Sequence, residues 1–237
     1  MEPWLRALTP GQALLVAGIE NVVIFALAVG LGEALDRWRG RRPQSGEVAT
    51  GRLAWGLAIC TVSLNALVTF AGWRFWCAGW IRIRPAGWLG SLLDALLLLG
   101  IMDVAMYGLH RLAHHPWAYR WVHGLHHRFE APRALTLFAM HPLEVLGFGA
   151  LWLLVIALRS PTWGGMAMYL SLNVAFGILG HLGADPWPLP LRLGDWLGTA
   201  PFHGAHHRDP ATNFGFYTRI WDWLFGSHDA PQYTGGR

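Results

Sequence analysis

Residues 89–115 read LGSLLDALLLLGIMDVAMYGLHRLAHH. The part from 89 to 109 is apolar except for a few small polar residues and two acids, Asp94 and Asp103, and three histidines follow it closely. A bilayer core about 30 Å thick needs about 20 apolar residues in a helix to cross it. The stretch therefore predicts a membrane-spanning helix that ends at a group of potential metal ligands.

Four more apolar runs surround this one. Two precede it, at 11–31 and 53–73, and two follow it, at 144–158 and 164–180. Only five residues join the last two runs, which predicts an antiparallel helical hairpin whose two ends open on one side of the membrane. Because its first arm is short for a complete span, that arm crosses at a tilt, thins the bilayer or only enters it.

The composition supports a membrane protein. The 237 residues are 54% hydrophobic and 14% charged, whereas about 25% of the residues in a soluble domain are charged. All 18 basic residues are arginines, scattered between the apolar runs, which argues against a nucleic-acid-binding protein. We predict one all-α domain over 1–237, an integral membrane stem of about three spans plus the hairpin, with a histidine-rich helical cap.

The arginines also predict the orientation. Segments 31–52, 110–143 and 181–237 hold 13 of them and would lie on one side, and five lie on the other. Cytoplasmic loops carry an excess of arginine and lysine, so we expect the histidine-rich side to be cytoplasmic. The absence of lysine indicates GC-rich coding and favours a bacterial inner membrane over the endoplasmic reticulum.

All 12 histidines lie after residue 109. Most fall into three sets with helical spacings, i, i+4 in the first and i, i+3, i+4 in the others, so that each set shares one helical face. The sets are His110 and His114; His123, His126 and His127; and His203, His206 and His207. With His181, they predict a site for one or two metal ions, because imidazole is the commonest protein metal ligand.

Several metal-site types do not fit this pattern. A structural zinc site takes four ligands, often cysteines, so two redox metals fit nine imidazoles better. The zinc-protease motif is absent because Arg111 stands where its general base would be. No Glu-x-x-His is present, which excludes the carboxylate-bridged soluble di-iron bundle. His115, His141 and His228 are interpreted as interfacial or hydrogen-bonded residues.

The sequence over about 103–228 resembles that of the integral-membrane fatty acid hydroxylase/sterol desaturase superfamily. The motifs that carry the resemblance are Asp103-x-x-x-Tyr107-x-x-His110-Arg111-x-x-His114, His123-Gly124-Leu125-His126-His127, His141-Pro142-Leu143-Glu144, His203-Gly204-Ala205-His206-His207, Asn213-Phe214-Gly215 and Trp221-Asp222-Trp223-Leu224-Phe225-Gly226.

The resemblance implies a non-haem centre of two Fe ions that uses O₂ and two external electrons to hydroxylate or desaturate a lipid C–H bond. The implied ligands are His110, His114, His123, His126, His127, His181, His203, His206 and His207. The electrons would come from a separate reductase, ferredoxin or cytochrome, since no haem, flavin or iron–sulfur motif is present. Zinc can replace iron on overexpression, because imidazole sites bind it more tightly than Fe(II).

One acidic and one aromatic residue are further candidates for the catalytic site. Asp103 and Tyr107 precede His110 on its helical face, where they would orient imidazoles. The resemblance also has a gap. Fatty acid 2-hydroxylases carry a second histidine four residues before or after the one at 181, whereas this chain has Gly177 and Asp185. The sterol desaturase-like branch is therefore the closer match.

Two other classes of function remain as alternatives. A histidine-rich metal transporter would place its site near the membrane midplane on interrupted helices. Here the histidine sets lie beyond the ends of the apolar runs. An inactive scaffold is the third possibility, and the intact histidine motifs argue against it.

Overall fold

The computed structural model describes residues 3–40, 47–129, 132–183 and 194–229, and these residues form helices and loops with no β-strand. Five helices are long and apolar enough to cross a membrane. They are α2 (Pro10–Trp38), α3 (Glu47–Cys77), α4 (Trp88–Ala113), α6 (Pro142–Arg159) and α7 (Trp163–Gly180). The shorter elements are α1 (Pro3–Arg6), α5 (Pro116–Trp121), α8 (Ala200–Arg208), α9 (Ile220–Leu224) and two 3₁₀ helices, His123–Arg128 and Thr136–Phe138.

Each of the five predicted apolar runs lies within one of the five long helices, so the predicted all-α membrane stem is confirmed. Helix α2 begins at a capping box in which the Thr9 hydroxyl accepts the Gln12 N–H and the Gln12 side chain accepts the Thr9 N–H. The predicted hairpin forms between α6 and α7. Ser160 ends α6 in the left-handed region, at φ 49°, and the Thr162 hydroxyl caps α7.

Helix α4 is packed closely against α7 at the end of the stem away from the histidines. The Asp94 carboxylate of α4 accepts the Thr162 N–H at 2.5 Å and the Arg84 guanidinium at 3.3 Å. A Cβ at Gly165 would lie 2.7 Å from that carboxylate, so only glycine permits this approach. Helices α2 and α3 pack on each other, and α3 packs on α6. The hairpin therefore packs on α4 through both of its arms and on α3 through α6.

The cap lies at the C-terminal ends of α4 and α7. It contains α5, the two 3₁₀ helices, α8, α9 and the loop between α8 and α9. The Arg133 guanidinium donates to the Glu33 carboxylate at 3.1 Å and ties the cap to the end of α2. Three separate stem helices thus converge on the segments that carry the histidines.

Candidate metal centre

The nine predicted ligands come together in two groups. Within each group one nitrogen per ring lies within 4.8 Å of the others. The five-histidine group is His110, His114, His123, His127 and His206, and the four-histidine group is His126, His181, His203 and His207. The structure therefore places every predicted ligand in one of two adjacent sites.

The sequence sets do not map one to one onto these groups. His123 and His127, four residues apart, have their Nε2 atoms 3.2 Å apart in the five-histidine group, while His126 belongs to the other group. His203 and His207 have Nε2 atoms 3.1 Å apart, and His206 belongs to the opposite group. Each triplet thus gives its i, i+4 pair to one site and its i+3 histidine to the other. The triplet His123–His127 does so from a 3₁₀ helix, whereas the triplet His203–His207 lies in helix α8.

Backbone carbonyls orient four of the rings. A carbonyl only accepts, so a ring nitrogen bonded to one carries the proton. The Nδ1 contacts are His110 with Phe214 O at 2.8 Å, His126 with Ala139 O at 3.3 Å, His181 with Gly177 O at 3.0 Å and His206 with Thr212 O at 2.6 Å. Each of these rings therefore presents an unprotonated Nε2 to the site, the arrangement that metal-bound histidines adopt.

A buried carboxylate orients a fifth ring. Glu144 of α6 lies 2.7 Å from Nδ1 of His123, and both side chains are almost completely buried. A carboxylate in this position fixes the ring and raises its basicity as a ligand. In the sequence Glu144 is only part of a motif, because nothing in its spacing predicts a contact with His123.

The spacing of the Nε2 atoms fits bound cations. His110 Nε2 lies 3.1 Å from His123 Nε2, although the Nδ1 contacts leave both atoms without a proton. Two bare lone pairs at this distance repel each other. Two nitrogens on one ion, each about 2.1 Å from it, lie about 3.0 to 3.4 Å apart. The buried Nε2 atoms of His114, His181 and His206 also have no hydrogen-bond partner in the described residues.

Burial keeps the imidazoles neutral. Desolvation lowers the pKa of His123 to about 4, that of His181 to about 3 and that of His127 to about 2. These histidines are therefore unprotonated at neutral pH. Metals bind the neutral imidazole, so the site is prepared for ions without an extra cost of deprotonation.

Asp103 and Tyr107 hold the cap segment against α4 and contact no imidazole ring in the described residues. The Asp103 carboxylate accepts the Thr218 hydroxyl at 2.6 Å and the Trp221 indole N–H at 2.9 Å. The Tyr107 hydroxyl lies 2.9 Å from that of Ser227. We infer that both residues act on the rings indirectly, because they fix the segment whose Phe214 carbonyl orients His110.

Asp222 completes this segment. It is fully buried and accepts the backbone N–H groups of Phe214 and Gly215 and the Ser227 hydroxyl, at 2.7 to 2.8 Å. It thereby fixes the loop that presents the Phe214 carbonyl to His110. The sequence analysis quoted Asp222 as part of a motif and did not assign it this role.

The three remaining histidines lie outside both groups. His141 Nδ1 accepts the Leu143 N–H and caps α6, and His115 is the exposed N-cap residue of α5. The His228 ring packs near Phe202 and Trp223. The sequence analysis interpreted all three as interfacial or hydrogen-bonded residues. The His141 ring is hydrogen-bonded, whereas the His115 side chain forms no capping hydrogen bond and His228 Nε2 has no hydrogen-bond partner in the described residues.

A large cavity opens onto the histidines from the stem. It has a volume of about 730 Å³, a size typical of ligand pockets, and a mostly apolar lining drawn from α2, α3, α4, α6 and α7. His110, His123, His126, His181 and His203 form its polar end. The five-histidine and four-histidine groups therefore face a space that a lipid chain can fill.

A comparison with protein-family models identifies the family. The fatty acid hydroxylase model matches residues 95–227, more than half of the chain and all nine histidines of the two groups. The chain belongs to the fatty acid hydroxylase family. The resemblance predicted from the histidine motifs is thus confirmed, and the family includes membrane enzymes that oxidise lipids.

Curated relatives of the chain include several lipid-modifying enzymes. Methylsterol monooxygenase 2-2 of Arabidopsis thaliana is 28% identical over 81% of this chain and 74% of its own length. Delta(7)-sterol 5(6)-desaturase erg3C of Aspergillus fumigatus is 28% identical over 63% of this chain and 52% of its own. Very-long-chain aldehyde decarbonylase GL1-11 of Oryza sativa is 31% identical over 59% and 54%. The chain spans about half the length of the last two. No solved structure matches it significantly.

The position that distinguishes 2-hydroxylases has a structural reason to be glycine. A Cβ at Gly177 would lie 2.9 Å from the Leu137 side chain, and the Gly177 carbonyl already accepts a hydrogen bond from Nδ1–H of His181. A histidine there would have to displace Leu137. The alternative position, Asp185, lies outside the described residues.

Proposed function

We propose that the protein hydroxylates or desaturates a C–H bond of a membrane lipid at a centre of two iron ions, with O₂ as co-substrate. The observation that carries the proposal is the meeting of the two histidine groups with one apolar cavity inside the stem. The relatives, which are named as sterol monooxygenase, sterol desaturase and aldehyde decarbonylase, support the same class of reaction.

The five-histidine and four-histidine groups would each hold one ion. When bound, the iron supplies the oxygen activation and the oxidising power for C–H cleavage. The protein holds the imidazoles with Nε2 toward the ions, through the Nδ1 contacts to backbone carbonyls and to Glu144. Apolar side chains such as Met102, Phe148 and Val174 line the substrate space and exclude water.

A metal transporter is less consistent with this arrangement. Transporter sites lie near the bilayer midplane. Here the nine nitrogens lie at the ends of α4 and α7 and beyond them, and the cavity that reaches them is lined mainly by apolar groups. Such a lining suits a hydrocarbon and gives an ion no continuous series of ligands.

The electrons would come from a separate protein, a ferredoxin, cytochrome or reductase. We place the protein in a bacterial inner membrane with the metal centre on the cytoplasmic side. The arginine distribution supports this orientation, and the exposed Trp80 and Trp88 suit the opposite membrane surface.

Cysteine labelling tests the orientation. In a variant with Cys60→Ala and Cys77→Ala, we expect Arg128→Cys to react with a membrane-impermeant maleimide only after the inner membrane is opened. Trp80→Cys should react in intact spheroplasts, because the link between α3 and α4 faces outward. Arg128 and Trp80 are both exposed, so accessibility within the protein does not limit either reaction. Reaction of Arg128→Cys from outside with Trp80→Cys shielded would reverse the assignment.

Comparative lipid mass spectrometry tests the function itself. Cells that express the protein should contain a lipid that has gained one oxygen atom or lost two hydrogen atoms. Cells with the empty vector or with His206→Ala at equal expression should lack it. The proposal would be overturned if membranes that contain the iron-loaded protein and a competent electron donor formed no oxidised lipid.

A further inference from the structure

Several polar side chains of the cavity wall are already engaged by the protein. The Asn21 amide donates to the Ala17 carbonyl at 2.9 Å and to the Thr69 hydroxyl at 3.1 Å. The Ser171 hydroxyl of α7 donates to the Ala167 carbonyl of the same helix at 2.8 Å. These groups line the cavity, but their hydrogen bonds are made within and between the stem helices.

Asn173 of α7 lies on the same wall and is fixed in one orientation. The Tyr217 hydroxyl lies 2.6 Å from Asn173 Oδ1, a distance that suits an O–H···O bond and is short for an N–H···O bond. The Tyr169 hydroxyl lies 2.8 Å from that of Tyr217 and donates to it, because the single Tyr217 proton is given to Asn173. Both tyrosines are almost completely buried. The amide carbonyl is therefore turned toward Tyr217, and the NH₂ group is turned away from it.

The NH₂ group of Asn173 has no acceptor in the described part of the chain. Unlike the Ser171 hydroxyl, it makes no bond to the α7 backbone, and it is accessible rather than enclosed by protein atoms. Asn173 lines the cavity, whose wall is mostly apolar. An amide N–H without an acceptor in apolar surroundings costs free energy, so an oxygen atom of a ligand would stabilise it.

Other polar groups of the lining also lack a partner among the described residues, but none is presented in this way. Oε2 of Glu144 is enclosed by protein atoms, while Oε1 contacts His123. Glu20 is exposed. No contact determines which atom of the Asn65 amide faces the cavity. Asn173 is therefore the lining amide of the described residues that presents an oriented, unpaired donor.

The position of Asn173 can be counted from two of the histidines. It precedes His181, the C-cap residue of α7, by eight residues of one continuous helix, which is a rise of about 12 Å. Its partner, the Tyr217 hydroxyl, also lies 3.3 Å from Sδ of Met106, which is about one helical turn before His110 in α4. The amide therefore lies within the stem, about one to two helical turns below the histidine end of the cavity.

We infer that the Asn173 NH₂ group binds a neutral oxygen atom of the lipid substrate, so that the substrate is an oxygenated lipid with a carbonyl, ester or hydroxyl group. A plain hydrocarbon would leave the N–H unpaired, and an ammonium has no lone pair to accept it. A carboxylate or phosphate would bring a charge into the membrane stem that an amide does not neutralise. That the bound lipid is the substrate rests on the proposed function, whereas the binding of its oxygen does not.

A pair of probes that differ only in the acceptor tests this site. We would measure equilibrium binding of radiolabelled 2-heptadecanone and of 2-methyl-1-heptadecene, in which a CH₂ group replaces the ketone oxygen. The full chain would be held in nanodiscs without O₂ or reductant, and binding to empty nanodiscs at the same ratio of probe to lipid would be subtracted. We expect the wild type to prefer the ketone by about 5-fold or more, as a neutral hydrogen bond allows.

The variants identify the donor. Asn173→Leu, which keeps the approximate shape of the side chain, should bind both probes about equally, and continued binding of the alkene would show that the cavity is intact. Ser171→Ala is the matched control, because it removes a hydroxyl of the same helix and the same cavity wall that already has an acceptor. Asn65→Leu removes the other unpaired amide. Both of these variants should keep the preference for the ketone.

Equal binding of both probes by the wild type, or binding of neither, would overturn the inference without reference to any variant. A full preference in Asn173→Leu, or its loss in Asn65→Leu, would also overturn it, because the donor would then be a different group. These results are separable from the fate of the proposed function. A protein that prefers the ketone but oxidises no lipid keeps the binding site and loses the function. A protein that oxidises lipid but shows no preference keeps the function and loses this site.

Discussion

Replacement of His206 by alanine is expected to abolish lipid oxidation and to reduce bound iron at equal protein amounts. The ring is fully buried, and its Nδ1–H donates to the Thr212 carbonyl. Its centroid lies 4.6 Å from that of the His110 ring and 4.7 Å from that of the His114 ring. Loss of a group that merely supports a ligand costs about 10- to 100-fold, so loss of the ligand should cost more. The same result is expected for His123, His126 and His207.

His228→Ala is the matched control. Like His206→Ala, it removes an imidazole near α8. The His228 ring is partly buried, packs beside Phe202 and Trp223, and belongs to neither histidine group. Most activity and iron should remain. Asp103→Asn should lie between the two, since it keeps the side-chain shape and weakens the hold on Thr218 and Trp221. The ligand assignment would be refuted if His228→Ala lost both turnover and iron while His206→Ala kept both.

Removal of His181 should have a different signature, because it belongs to the four-histidine group alone. We expect His181→Ala to lower bound iron from two ions to about one per chain, while the five-histidine group keeps its own ion. Lipid oxidation should be lost even so, since the proposed chemistry needs both ions. Iron analysis beside turnover on the same preparation makes this measurement.

His115→Ala is the control for His181→Ala, because His115 is an exposed cap residue outside both groups. It should retain both ions and its activity. Unchanged iron in His181→Ala would remove this residue from the ligand set, and loss of both ions would show that the two groups do not bind independently.

The spans and the close approach of neighbouring histidines could be predicted because both depend on local patterns. A run of about 20 apolar residues specifies a membrane helix with little reference to the rest of the chain. The spacings within His123–His127 and His203–His207 likewise predict that neighbouring rings lie close together. The five-residue link between 158 and 164 was sufficient for the hairpin, and hence for the return of His181 to the side of the other histidines.

The division of the nine histidines between two groups could not be predicted, since it depends on tertiary packing. His126 and His206 leave their own triplets because each ring turns toward a different backbone carbonyl, Ala139 for one and Thr212 for the other. Those carbonyls lie 13 and 6 residues after the rings, so the contacts depend on how the chain folds back after each triplet. No one-dimensional spacing contains this information.

The supporting acids illustrate the same limit. Asp103 lies on the helical face of His110, which suggested a direct contact with an imidazole, yet its partners come from residues more than 100 positions later. Glu144 contacts His123 although the two are 21 residues apart and on different elements. In both cases the sequence showed that an acid was present near the site, and only the fold showed what it binds.

The metal content of the purified wild-type protein tests the central claim most directly. Protein prepared anaerobically with iron would be analysed for total metal per chain and by X-ray absorption, with zinc counted together with iron because it competes for imidazole sites. The two histidine groups predict two ions per chain, bound only by nitrogen and oxygen. One ion per chain, sulfur ligands or haem absorbance would contradict the account.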